Sequence, residues 1–207
     1  MDVVVEYLDG TTATRTHQAT TAHGSSSTPL GVDRADVRIG VKIFLGGPYS
    51  AGSMTTTVRD NGDVPFTSPY SEDPREVDGI PSDVTDWVLV ELRTAVDGAA
   101  VAWKSAFLKS DGTIVDDAGD SGITMDAPAG SYFVAIYHRN HISVISDEAT
   151  AFNTETLITY DFTSGTDKYY FNQAGDLGSG NYGMFAGDAN GSSFINSTDY
   201  MLSLIHI

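Results

Sequence analysis

Two histidines, an arginine and an asparagine stand together at the end of an apolar run, as His138, Arg139, Asn140 and His141. Imidazoles three residues apart occur in metal-ligand pairs, and neutral imidazole is a common ligand. A catalytic zinc site also needs a third protein ligand and an open position. Nothing else in the chain makes a convincing set with these two. The other reading is a polar clasp at a strand end, because buried polar groups must be paired. In the clasp, Arg139 bridges a carboxylate such as Glu91 or Asp86 and the imidazoles hold loop carbonyls. The residues are compatible with either, and the clasp is the expectation.

Other chemistry has less support. Ser25–Ser27 lie in a polar stretch, and no Gly-x-Ser-x-Gly elbow occurs. Residues 175–183 are glycine-rich but contain Asp176 and lead into no helical pattern, unlike a phosphate-cradling loop. Carboxylates stand close together at Asp116-Asp117 and at Asp83 and Asp86. In so acidic a chain such proximity does not identify a general acid and base. The chain has no cysteine, which removes thiolate nucleophiles, thiolate metal sites and disulfides. A non-enzyme is expected. Tyr169, Tyr170, Phe171 and Tyr182 either form an aromatic platform for sugar rings or pack inside the fold.

The polar quartet has to be held by strands. In Ser131–Ser146, Tyr132, Val134 and Ile136 alternate with Phe133, Ala135 and Tyr137, as a buried strand requires. Ile142, Val144 and Ile145 restore the apolar pattern after the quartet. Val37–Leu45 alternates toward Gly46-Gly47-Pro48, and Met54–Arg59 reads as a further strand closed by the hairpin turn Asn61-Gly62. Val64–Tyr70, with Pro65 and Pro69, is an edge strand or loop, and Glu72–Val84 is an acidic connection. Strands follow at Asp86–Arg93 and Ala99–Leu108, then at Thr113–Asp116 after the turn Asp111-Gly112. Ile123–Met125, Thr156–Phe162 and Lys168–Phe171 complete the series. Strands this short, with turns at about every eight to twelve residues, indicate an all-β fold, an antiparallel β-sandwich of Ig-like or jelly-roll-like type.

The N-terminal part differs. Val3, Val4, Val5, Tyr7 and Leu8 read as a short strand closed by Asp9-Gly10. From Asp9 to Thr28 there is no large apolar residue, so the run reads as a linker with a Thr-rich edge strand at Thr11–Thr16. Twenty extended residues span at most about 70 Å, so the first strand can reach a neighbouring subunit as an assembly strand. The expected organisation is residues 1–35 as strand plus linker, 36–186 as the β-domain and 187–207 as a C-terminal loop with a truncated helix.

Charge narrows the partners. Twenty-eight acidic against eleven basic residues give a net charge of −17, which repels nucleic-acid phosphates and anionic membranes. No stretch approaches the roughly eighteen apolar residues of a membrane span, and the start lacks the basic and apolar regions of a signal peptide. If the protein is secreted, a leader has been removed or the sequence is a fragment.

Several separated motifs carry a resemblance. They are Phe44-Leu45-Gly46-Gly47-Pro48-Tyr49, Met54, Val64-Pro65-Phe66, Ser68-Pro69-Tyr70, Asp86–Arg93, Phe107-Leu108 with Asp111–Val115, and His138–His141. Over about residues 36–202 the chain resembles the C-terminal β-sandwich modules of secreted or cell-surface Bacteroidota-type proteins, loosely called haemagglutinin-like. Such modules precede dockerin-like calcium repeats. Gly187–Tyr200 is similar to one dockerin-type calcium loop and the start of its helix. The resemblance implies a Ca²⁺ site in which Asp188, Asn190 and Ser192 supply side-chain oxygens, Phe194 its carbonyl, and Asn196 and Asp199 the remainder. A hard cation wants six to eight oxygens. Here Ser192 stands for the usual aspartate, Ser193 for the usual turn glycine, and one copy for two, so a weak site is expected.

The expected function is a non-catalytic extracellular structural or adhesive module, assembling as a homopolymer by N-terminal strand addition. The alternatives are a carbohydrate-binding accessory module of a secreted glycan-degrading enzyme, with a glycan or cell-surface partner, and a Ca²⁺-dependent docking module.

Overall fold

A computed structural model describes the backbone of Val3–Glu6 and Thr12–Arg15, and residues 36–192, 194–199 and 201. The chain forms two compact units, Met1–Val32 and Asp33–Ile207. In the first, β1 (Val3–Glu6) and β2 (Thr12–Arg15) pair antiparallel, Val3 opposite Arg15. Tyr7 and Leu8, expected in the assembly strand, lie outside the described residues, as do Ser193, Tyr200 and residues 202–207.

The second unit is mostly β, in several sheets. The largest is built on β6 (Val84–Arg93) and β7 (Ala100–Lys109). Its other members are β8 (Ile114–Val115), β10 (Gly130–His138), β11 (His141–Ile145) and β12 (Thr150–Phe152), in the order β11-β10-β6-β7-β8 with β12 also on β10. Every named pair in it is antiparallel. A three-stranded sheet holds β3 (Val37–Lys42) between β9 (Ile123–Met125) and β13 (Ile158–Asp161). The β13–β3 pair is parallel, a departure from the purely antiparallel expectation. Two small hairpins complete the set, β4 (Tyr49–Ser50) with β5 (Ser53–Met54), and β14 (Gly175–Gly178) with β15 (Asn181–Gly183).

Alternation explains the core. Val88, Val90 and Leu92 of β6, Ala102, Ala106 and Leu108 of β7, and Val134 and Ile136 of β10 share one buried cluster with Val37, Ile39 and Val41 of β3 and with Ile123 and Met125 of β9. Each large aliphatic side chain so buried contributes roughly 1.5–3 kcal/mol. The opposite face of the large sheet is also covered. Trp87 and Phe107, with ring centroids 4.0 Å apart, form a second buried cluster with Val64, Val84 and Val115, under Tyr70, Val77 and Ile80. The proline-bearing segment is tied down by Trp87 Nε1 donating to the Pro65 carbonyl at 2.8 Å, and by Asp73 accepting the Ser105 N–H at 2.7 Å.

Two expected elements differ, and one segment with no expected element forms a hairpin. Met54–Arg59 is a strand only to Met54, and Thr57–Asp60 is a helical turn that Asn61-Gly62 ends, with the Gly62 N–H donating to the Arg59 carbonyl. Thr56 Oγ1 donates to Asp60 Oδ2 at 2.8 Å, which favours the turn over the strand propensity of Thr57 and Val58. Lys168–Phe171 is not a strand but parts of two 3₁₀ turns, Thr166–Lys168 and Tyr170–Asn172. The glycine-rich residues 175–183 form the β14–β15 hairpin, turning at Ser179 and Gly180, both with positive φ.

Candidate functional site

Two features recognised separately in the sequence, the His138 corner and the Asp188–Asp199 loop, line the same open cleft of about 1010 Å³. The corner is made where β10 turns into β11, His138 paired with His141 across the turn. Facing it is the start of β6, where a bulge leaves Thr85 without a partner on β7, Val84 pairing with Lys109 and Asp86 with Leu108. A bulge re-aims the side chains around it. Thr85 and Asp86 are both buried, and both line the cleft.

Asp86 is the hub of the corner. Its Oδ1 accepts the Trp87 N–H at 2.8 Å, and Arg139 grips both oxygens, with Nη2 at 2.8 Å and Nε at 3.1 Å from Oδ2. His138 Nε2 lies 3.2 Å from the same Oδ2. Burial works against the charge of Asp86, but the hydrogen bond from His138 and the Arg139 guanidinium hold its carboxyl below the usual carboxylate value. Arg139 therefore takes Asp86 of the two expected carboxylates. Glu91 pairs with Arg93 instead.

The proton positions follow from the partners. The Gly47 N–H donates to His141 Nε2 at 3.2 Å, so His141 carries its proton on Nδ1. That N–H points at His138 Nδ1, 2.9 Å away, which also receives the Asn140 N–H at 3.2 Å. The His138 proton is then on Nε2, directed at Asp86. The imidazoles thus accept a loop N–H and bond each other and a carboxylate, where loop carbonyls were expected. Burial and the neighbouring His138 push the His141 pKa down to about 3. All four ring nitrogens are engaged in hydrogen bonds.

Residues 184–187 carry the chain from the core to the loop. Met184 bonds the Phe44 carbonyl and the Gly46 N–H, Phe185 accepts from Ile142, and the Gly187 N–H donates to the Asn140 carbonyl at 3.0 Å. Gly46 permits this close approach. A Cβ on Gly46 would stand 2.8 Å from the Met184 carbonyl oxygen, and one on Gly47 3.5 Å from His141 Nε2.

In the loop, Asp188 and Asp199 are almost fully buried. Asp188 Oδ1 and Asn190 Oδ1 each lie 2.9 Å from the Ser192 N–H. Asp199 accepts from the backbone of Asn190 on Oδ1 and of Asn196 on Oδ2. Ser192 Oγ donates to the Phe194 carbonyl at 3.1 Å, which turns two of the six expected ligands toward each other. Asn196 Oδ1 accepts the Thr198 N–H at 2.8 Å, at the helical turn that begins at residue 197. These hydrogen bonds to the carboxylate and amide oxygens come from backbone N–H groups of the loop itself. Among the described residues no group of three or more His, Asp or Glu is placed to hold a metal.

The aromatic quartet is split. Tyr169 is 1% exposed and packs on Phe162, whereas Phe171 is 72% exposed and meets Tyr170 at a tilt, with centroids 4.2 Å apart. Tyr182 is half-buried against the core.

Sequence reasoning missed Thr85 and Gly47, which carry no chemical signature of their own. It also missed the cluster of Glu91, Arg93 and Tyr137. There Arg93 Nη2 donates to the Tyr137 hydroxyl at 2.7 Å, and burial together with Glu91 raises the Tyr137 pKa to about 12. Among the described residues no helix is long and apolar enough to cross a membrane. No protein-family model, no curated protein and no solved structure matches the chain.

Proposed function

We propose that the chain is a non-catalytic extracellular β-sandwich module, structural or adhesive, that acts by contact through its surfaces and its N-terminal hairpin. The observation that carries this reading is the closed hydrogen-bond circuit Gly47–His141–His138–Asp86–Arg139. The constellation best suited to chemistry has every ring nitrogen committed. The sandwich arrangement is supported by the single apolar cluster that the two larger sheets share. The acidic composition and the resemblance to secreted surface modules support the extracellular setting.

The N-terminal unit supports self-association. An isolated two-stranded hairpin of four-residue strands is marginal in water, and it gains stability by adding an edge to another sheet. Among the described residues β13 ends its sheet and pairs only with β3. Electron microscopy and sedimentation of the full chain and of residues 33–207 test the assembly. The full chain should form oligomers or filaments that the shortened chain does not; identical species from both would remove the fibre.

A second reading, Ca²⁺-dependent docking, is favoured by the gathering of Asp188, Asn190, Ser192, Asn196 and Asp199 into one loop on the wall of the cleft. A calorimetric Ca²⁺ signal that chelator abolishes supports it, and a blank titration disposes of it.

A further inference from the structure

We propose that Asn190 is a spontaneous modification site: it deamidates across its bond to Gly191, and the fold of its loop speeds the reaction. The Gly191 backbone nitrogen gives up its proton to solvent base and attacks Asn190 Cγ. A C–N bond forms, the side-chain amide leaves as ammonia, and a five-membered succinimide results. Water then opens the ring at either carbonyl to give aspartate or isoaspartate. The net change is one water consumed and one ammonia released, with no oxidant or cofactor.

Three observations place the reaction here. Asn190 and Gly191 are both exposed, and no atom outside the adjoining residues lies within 4 Å of where a Cβ on Gly191 would stand, so the surroundings of the bond are open. The Gly191 N–H makes no hydrogen bond among the described residues, so it is not held out of reach. The Ser192 N–H, shared with Asp188, sits 2.9 Å from Asn190 Oδ1, the oxygen on which negative charge develops as the nitrogen adds. A donor aimed at developing charge lowers the barrier to its formation.

The chain contains its own control. Asn61-Gly62 is the same dipeptide, but there the Gly62 N–H is committed to the Arg59 carbonyl at 2.9 Å and the Asn61 N–H to the Thr57 carbonyl at 3.0 Å. Among the described residues no donor reaches the Asn61 side-chain oxygen. The sequence makes the two sites equivalent, and the fold makes them different. Modification at Asn190 adds a carboxylate beside Asp188 and Asp199. On the cation reading of the loop, on which this consequence alone rests, the aspartate product binds Ca²⁺ more tightly.

The full chain is incubated folded, at mildly alkaline pH, and peptide-mapped by mass spectrometry, with a parallel incubation in denaturant. The Asn190 peptide should acquire the amide-to-acid mass gain several-fold faster than the Asn61 peptide when folded, and the two rates should converge when unfolded. Gly191→Ala should slow the change at Asn190 several-fold without affecting Asn61. Equal folded rates at the two sites, or a difference that persists unchanged in denaturant, would overturn the proposal. Calorimetry of Asn190→Asp with Ca²⁺ separates the consequence: tighter binding than wild type supports it, and equal binding sinks the cation reading while the modification stands on its mass signature.

Discussion

His138 and His141 face each other nitrogen to nitrogen, their Nδ1 atoms 2.9 Å apart and their rings meeting edge to face. At that separation one nitrogen carries a proton and the other a lone pair. The Gly47 N–H decides which, by occupying the far nitrogen of His141. A second proton on His141 would go to Nε2 and displace the Gly47 N–H, so the corner as drawn holds only while His141 is neutral.

Acid should weaken the fold earlier than carboxylate titration alone would. His141 is depressed from 6.5 to about 3 by burial and by His138, so below about pH 6.5 the unfolded chain takes up a proton that the folded chain refuses. The contribution is complete above that pH and falls by about 1.4 kcal/mol per pH unit toward pH 3. Asp86, also depressed, loses its contribution only as pH drops below the ordinary carboxylate range. Urea denaturation between about pH 6.5 and 4.5 therefore isolates the histidine. His141→Gln should flatten the slope there, and a flat wild-type profile would contradict the assignment.

Removing the hub should cost stability. Asp86→Ala strands Arg139 and leaves His138 Nε2–H without an acceptor. A loss of about 2–4 kcal/mol is expected, discounted from a fully buried pair because Arg139 is about one-third exposed. His138→Ala should likewise lower the melting temperature. An unchanged melting curve in either variant would count against the clasp, and together with lost ligand binding it would argue for a site.

The aromatic residues separate packing from recognition. Tyr169→Ala empties a fully buried position against Phe162 and should cost about 3–5 kcal/mol. Phe171→Ala, at an exposed position, should change stability by under about 0.5 kcal/mol. Thermal unfolding measures both. Glycan binding lost in Phe171→Ala at unchanged stability would favour the carbohydrate-binding alternative.

Asp199 tests the loop. Asp199→Ala removes the acceptor for the Asn190 and Asn196 N–H groups and should destabilise the loop by about 1–3 kcal/mol. Faster amide hydrogen exchange should therefore appear at residues 190 and 196 and not in β6. Any calorimetric Ca²⁺ signal of the wild type should vanish in this variant, and one that survives would mean that the cation binds elsewhere.

The strands of the large sheet were legible because Asp86–Arg93 and Ser131–Tyr137 alternate strongly and Asp111-Gly112 is a turn that only a φ of +87° closes well. The burial of Trp87 and Phe107 was not, since the covering segment has no period of its own and is ordered by hydrogen bonds to distant residues. Lys168–Phe171 has strand propensity, yet Tyr169 turns inward to Phe162 while Phe171 adopts a positive φ of 56° and points out. Tertiary packing overrode local preference there. At the site, four polar residues after an apolar run announced a corner, but the choice of Asp86 over Glu91 depended on where each stands along β6. The bulge at Thr85 left no mark in composition. Nor did any spacing indicate that the corner and the Asp188 loop share a cleft, because Gly187 meets Asn140 only through the path of residues 184–187.

The most direct test of the central claim, that the His138 corner is a closed clasp, is nitrogen-15 NMR of the imidazole rings between about pH 8 and pH 4. His141 should appear as the neutral form protonated on Nδ1 throughout, with Nε2 coupled to the Gly47 amide. A His141 ring that is protonated on Nε2, or that titrates near pH 6.5 with a nitrogen open to added Zn²⁺, would contradict it.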